Sequence, residues 1–155
     1  MRRLAALLLF IAAPLWAQNP NGLPPCPKPD FSKAETVGVS GRTWHWTDCW
    51  GRYVFTQPGE LRGVVIEGEW RYGQLTGRGS YRVPNGTQYD GTLRNFRPHG
   101  QGQLLYRDGS RYDGEFRDGK RHGLGTYRYP NGDVYIGEFA NGDRNGQGTY
   151  TFASG

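Results

Sequence analysis

The residues of this chain that could do chemistry recur at one spacing. His99 and His122 lie 23 residues apart, and Glu69, Glu115 and Glu138 fall in a common register with Asp90 and Asp113 beside them. Two imidazoles can share a metal ion, and paired carboxylates can divide the roles of general acid and base. Both readings fail once the spacing is turned into geometry. A repeat that returns every second strand separates His99 from His122 by about 9.6 Å, whereas nitrogen ligands lie about 2 Å from a shared zinc ion. Acid–base catalysis needs two carboxylates in unlike environments, and repeated positions give like ones, so these acids read as a solvated, salt-bridged face. Gly-x-Gly recurs between strands and not ahead of a helix, so it is no dinucleotide fingerprint. No catalytic residue, metal site or cofactor is expected, and the chain does not read as an enzyme.

The elements behind the spacing are repeats, and self-comparison finds them first. The leading position reads Ile66, Tyr89, Tyr112, Tyr135. The third reads Gly68, Gly91, Gly114, Gly137, and the fifth Trp70, Leu93, Phe116, Phe139. The twelfth and fourteenth are Gly77 and Gly79, Gly100 and Gly102, Gly123 and Gly125, Gly146 and Gly148. The sixteenth is Tyr81, Leu104, Tyr127, Tyr150, and the eighteenth Val83, Tyr106, Tyr129, Phe152. Four copies follow without a gap: 66–88, 89–111, 112–134 and 135–155.

Within a copy, Tyr112, Gly114 and Phe116 share one face of a strand, and Asp113, Glu115 and Arg117 the other. Asp118-Gly119 supplies the positive φ of a hairpin turn. Gly123, Gly125, Tyr127 and Tyr129 share a face of the returning strand, and Asn131-Gly132 turns the chain onward. The expected fold is all-β: an elongated single-layer antiparallel meander of 23-residue hairpins. One face carries aromatics and glycines, the other mostly charge. Glycine in a strand costs roughly 0.5–1 kcal/mol. A ring from an adjacent strand lying over the bare backbone offsets that, since burying one large apolar side chain contributes roughly 1.5–3 kcal/mol.

Y-x-G-x-[FW] followed by H-G-x-G-x-[YL]-x-[YF]-x-[ND]-G on this period resembles the MORN (membrane occupation and recognition nexus) repeat. Copies three and four fit closely. Copy one has Ile66 for the leading Tyr and Thr76 for His, and copy two has no glycine in Asn95-Phe96-Arg97-Pro98. The resemblance implies the same hairpin ribbon. It also implies functions in interaction, scaffolding and sometimes phospholipid binding, with no catalysis by the repeat itself.

The N-terminal "MRRLAALLLFIAAPLWAQ" has two arginines, a short apolar run and Ala17 before a cleavage point. It reads as a secretory signal peptide over 1–17, too short for a transmembrane helix of about 20 apolar residues. An uncleaved anchor is the alternative. The expected location is periplasmic or secreted, of bacterial type. Cys26 and Cys49 are the only cysteines, and an even pair in an exported chain reads as a disulfide. "DCWGRYVF" aligns with "HGLGTYRY", so 44–65 reads as a degenerate capping repeat with Trp44, Trp46 and Trp50 closing the aromatic face. Residues 18–43, with five prolines between Pro20 and Pro29, read as an extended segment clipped to that cap.

Removing Arg2 and Arg3 from the 19 basic residues leaves 17 against 14 acidic, a balance of +3. That is too small a charge to suggest nucleic acid. One local cluster, Arg117, Lys120, Arg121 and His122 with Arg94, Arg97 and His99 of the preceding copy, forms a candidate basic edge. It would suit anionic lipid headgroups. The last strand, 146–152, reads as an edge with few charges, and such edges pair with other strands. The expected function is that of an exported interaction or scaffold module with a protein partner. The edge at 146–152 is a place for self-association as a symmetric dimer, and peripheral lipid binding is the alternative function.

Overall fold

The structure is a computed structural model that describes Asn19 and residues 21–26, 46–56 and 58–154. The signal peptide over 1–17, most of the proline-rich segment and Trp44 lie outside the described residues. Nine strands run in chain order through one sheet: β1 (Cys49–Val54), β2 (Val65–Arg71), β3 (Gln74–Arg82), β4 (Gln88–Arg94), β5 (Arg97–Leu105), β6 (Arg111–Arg117), β7 (Lys120–Arg128), β8 (Val134–Ala140) and β9 (Asp143–Thr151). Every neighbouring pair is antiparallel, and each repeat is one hairpin. No helix occurs among the described residues.

The repeated glycines form a line. Gly51, Gly68, Gly79, Gly91, Gly102, Gly114, Gly125, Gly137 and Gly148 pair one with the next across all nine strands. Beside this row every hairpin within a repeat shifts register. In copy three Gly114 pairs with Gly125, but Phe116 pairs with Arg121. The pairs between repeats show no shift. The returning strand thus carries a bulge at the same place each time. Gly123 sits in it at φ 59°, a left-handed conformation that a residue with a β-carbon adopts only under strain.

The first turn of each hairpin takes two positive-φ residues, as Asp118 (φ 50°) and Gly119 (φ 87°) do. Copy two reaches the same turn without glycine: Asn95 and Phe96 stand at φ 50° and 64°. The Phe96 ring packs edge-on to Trp70, with centroids 5.7 Å apart, which offsets the backbone cost. Each such turn is also tied to the hairpin before it. Phe96 N–H donates to Leu75 O, Gly119 N–H to Pro98 O and Gly142 N–H to Arg121 O.

The N-terminal edge is covered. Trp50 N–H donates to Pro24 O and Cys26 N–H to Trp50 O, so residues 24–26 run parallel to β1. The Cys26–Cys49 disulfide fastens this strap, and no free cysteine remains. Cys26 Sγ and the Trp46 ring lie over Gly51. Trp46 is buried and meets Trp70 edge-on at 5.0 Å. Trp50 does not close the aromatic face as the sequence suggested. Strand alternation sets Cys49, Gly51 and Tyr53 inward and leaves Trp50 half-buried, opposite Glu69. At the other end β9 pairs only with β8 among the described residues.

Candidate functional site

The two faces of the sheet differ in how they are finished. On the aromatic face Trp70, Tyr89, Tyr112, Phe116, Tyr135 and Phe139 are buried. Tyr112 lies across the glycine row, its ring directly over Gly125. Its hydroxyl donates to Glu115 O at 2.9 Å and reaches His122 O at 3.3 Å, so it satisfies carbonyls at the bulge. Tyr89 over Gly102 and Tyr135 over Gly148 repeat the device, with hydroxyls donating to Thr92 O and Glu138 O. Copy one has Ile66 at that position, and Leu93 of the next copy approaches Gly79 instead.

The two glycines of the returning strand therefore have different reasons. Gly79, Gly102, Gly125 and Gly148 are needed for close approach. Gly77, Gly123 and Gly146 are needed for the bulge, and they lie under the carboxylates of Glu69, Glu115 and Glu138, not under rings. That also revises the acidic ladder. Glu69 is buried; it accepts hydrogen bonds from Arg78 N–H at 3.1 Å and Asn21 Nδ2 at 2.8 Å. Glu138 accepts one from Gln147 N–H in the same way.

Outside the buried rings runs a strip of half-buried tyrosines. Tyr106, Tyr127, Tyr129, Tyr150 and the exposed Phe152 follow in contact, with centroids 4.7–5.9 Å apart. Tyr81 stacks on Tyr89 at the head of the strip. The Arg121 guanidinium sits 4.9 Å from the Tyr127 centroid and 5.4 Å from that of Phe139, and donates to Gly142 O. Arg144 lies 5.3 Å from the Tyr135 centroid and 5.7 Å from that of Tyr150. The Tyr150 hydroxyl donates to Asp133, which pushes its own pKa up to about 12 and holds the Asp133 carboxyl below its ordinary value.

The expected basic edge is smaller than its sequence. Arg94 is paired with Asp118 at 2.6 Å, and His99 Nδ1 lies 3.7 Å from the same carboxylate. Arg121 belongs to the aromatic face, and His122 is half-buried. Arg97, Arg117 and Lys120 stay exposed beside the hairpin turns. No group of three metal-ligating side chains occurs among the described residues.

On the opposite face a hollow of about 260 Å³ opens between β3 and β6, lined by Arg78, Asp90, Thr92, Gln101, Gln103 and Asp113 over the glycine backbone. Sequence reasoning placed Asp90 in a solvated ladder. The fold half-buries it, and its Oδ1 is closed to solvent with no hydrogen-bond partner among the described residues. Gln103, its cross-strand partner, is engaged with Asp113 and Arg111 instead. Burial pushes Asp90 up to about 7; Arg82 opposes the shift and Glu67 adds to it. Toward the C-terminus this face turns apolar, with Leu124 and Ile136 exposed.

The Asp90 value has a consequence for stability. The folded carboxyl holds its proton more tightly than an unfolded one at 3.8. The fold therefore loses stability as pH rises from about 4 through about 7. Asp90→Asn removes that loss. The variant is expected to gain on the order of 1 kcal/mol at about pH 8, discounted for partial exposure, and nothing at about pH 4. Urea midpoints across that range check it; parallel curves for the two proteins would refute the account.

The MORN repeat family model matches the chain at residues 67–88, 89–111, 112–134 and 135–155, more than half of its length. These are the four hairpins β2–β3, β4–β5, β6–β7 and β8–β9. Comparison with curated proteins found no match.

Proposed function

The chain belongs to the MORN repeat family, and on that premise we propose that it is a non-catalytic, exported interaction module that recruits a protein partner through its uncovered sheet. One observation carries this reading: the strip of half-buried tyrosines from Tyr106 to Tyr150 ends at the exposed Phe152 beside β9, which pairs only with β8 among the described residues. Rigid aromatic rings with polar tips give large contact area at low entropic cost. The sequence of 1–17 supports export, and the Cys26–Cys49 disulfide is compatible with an extracellular location.

The partner most directly accommodated is a second copy, paired tail to tail along 146–152. Its backbone groups on the side away from β8 have no partner among the described residues and are a template for a strand, and eight of the nine β9 residues are exposed. The chain without 1–17 is expected to sediment as a dimer that dissociates on dilution. Thr151→Lys adds a charge on this strand without removing an N–H donor and is expected to give a monomer. Monomers for both at millimolar protein would overturn self-association at this edge.

Exposed Arg97, Arg117 and Lys120, with Phe96 partly exposed nearby, favour a second reading, peripheral binding to anionic lipid. Such binding fades as salt screens the charges over a Debye length of about 8–10 Å at physiological strength, whereas strand pairing does not. Flotation with phosphatidylglycerol vesicles at low and moderate salt separates the two readings.

A further inference from the structure

The hollow on the polar face exists because copy two breaks the pattern of the other three. The fourth repeat position is Glu69, Glu115 and Glu138 in copies one, three and four, and Thr92 in copy two. In those three copies the glutamate carboxylate folds against the bulge glycine. In copies one and four it also receives the N–H of the residue after that glycine. At Gly100 the nearest side-chain atom is Thr92 Cβ, 3.6 Å from where a β-carbon would stand. Thr92 thus leaves the space of a carboxylate open and leaves the Gln101 N–H without the acceptor that Arg78 and Gln147 have in copies one and four.

Two further groups face the vacated space. Arg78 is exposed and makes no ion pair among the described residues. Asp90 lines the same hollow; its Oδ1 is closed to solvent, so its other carboxylate oxygen is the acceptor that a ligand there would reach. A cation-and-amide end therefore stands beside an acceptor end. Asp90 pairs with Gln103, so Gln101 is its diagonal neighbour across β4 and β5, about 7–8 Å away by Cα. Hydrogen bonds of about 2.9 Å from each side leave a short span between the ligand groups that would meet them. The hollow, at about 260 Å³, lies below the ~300 Å³ at which drug-sized sites begin, so its occupant is small or is the end of a chain.

We propose that this hollow binds a carboxylate carrying a nearby hydrogen-bond donor, the pattern of a free α-amino acid or a peptide C-terminus. The ligand carboxylate takes the place of the missing glutamate, on the Gln101 N–H and the Arg78 guanidinium, and its ammonium or amide N–H donates to Asp90. Both signs of charge line the hollow, which matches a ligand with one acidic end and one donor end.

Three probes test this on the chain without 1–17, followed by the amide NMR signals of Gln101 and its neighbours. Glycine carries a carboxylate and an ammonium, N-acetylglycine a carboxylate and an amide, and glycinamide no carboxylate. A saturable shift at Gln101 is expected with glycine, N-acetylglycine or both, and none with glycinamide. A response to glycine alone assigns the site to free amino acids, and a response to N-acetylglycine alone assigns it to chain ends. Thr92→Glu restores the residue of the other copies and is expected to weaken binding at least tenfold while the remaining spectrum stays native. Asp90→Asn, which keeps the shape, is expected to weaken it severalfold and serves if the first variant does not fold. No saturable shift with either carboxylate probe up to tens of millimolar would overturn the proposal. So would equal shifts with glycinamide, or binding undiminished in a folded Thr92→Glu protein.

Discussion

Gly125→Val is expected to destabilise the protein by about 3 kcal/mol or more, while Thr126→Val, one residue on, stays within about 0.5 kcal/mol of wild type. Strand propensity favours valine at both sites, so propensity alone forecasts two gains. The difference lies in what each side chain meets. A β-carbon at Gly125 would overlap the Tyr112 ring, which is fully buried and held by its hydroxyl on Glu115 O. The ring would have to leave the glycine row, exposing its own face and freeing the bulge carbonyls. Thr126 stands on the opposite face, paired with Asp113 and Ile136, and valine has nearly the shape of threonine. Combining Gly125→Ala with Tyr112→Leu checks the cause. The double variant is expected to be more stable than the sum of the single effects, by about 1 kcal/mol or more. Equal melting temperatures for the two valine variants, or strict additivity in the cycle, would show that the ring does not depend on the glycine.

Removing the disulfide by Cys26→Ala with Cys49→Ala is expected to cost about 3 kcal/mol, within the usual range for a native bridge of this loop length. The loss should be local. Without the bridge, the strap at 24–26 keeps two backbone hydrogen bonds to Trp50, and Asn21 keeps its bond to Glu69. Those few contacts do not offset the entropy of ordering the strap. Hydrogen exchange is expected to quicken in β1 and β2 and to stay unchanged in β6–β9, because repeat arrays couple mainly through nearest neighbours. The purified protein should show no alkylated cysteine before reduction. Two free thiols would refute the bridge, and loss of protection across the whole sheet would refute its local role.

The hairpins, their order and the two-faced character of the sheet were legible in the 23-residue period. Each rests on local rules: alternation along a strand, and positive φ at Asp118-Gly119 or at Gly132. The resemblance to the MORN repeat led to the same ribbon. The departure at Asn95-Phe96 was visible too, but not its resolution, because the ring that offsets the strained turn belongs to contact with Trp70 in the preceding copy.

By itself the sequence determined the period of the four hairpins, the place of their turns and the aromatic side of each repeat strand. Spacing alone carries these, since a strand has period two and a tight turn fixes where the next strand begins. Only the tertiary structure decided which glycine serves a ring and which a bulge, because the register shift between Gly114 and Phe116 moves side chains relative to their neighbours across the sheet. It also drew Arg121 away from the basic edge onto Tyr127 and Phe139, and set Trp50 opposite the aromatic face. The hollow at Asp90 is of the same kind. Thr92 is one substitution in a repeat, and its effect is the space left among Arg78, Asp90 and Gln101 on three strands, a distance relation that no pattern along one strand contains.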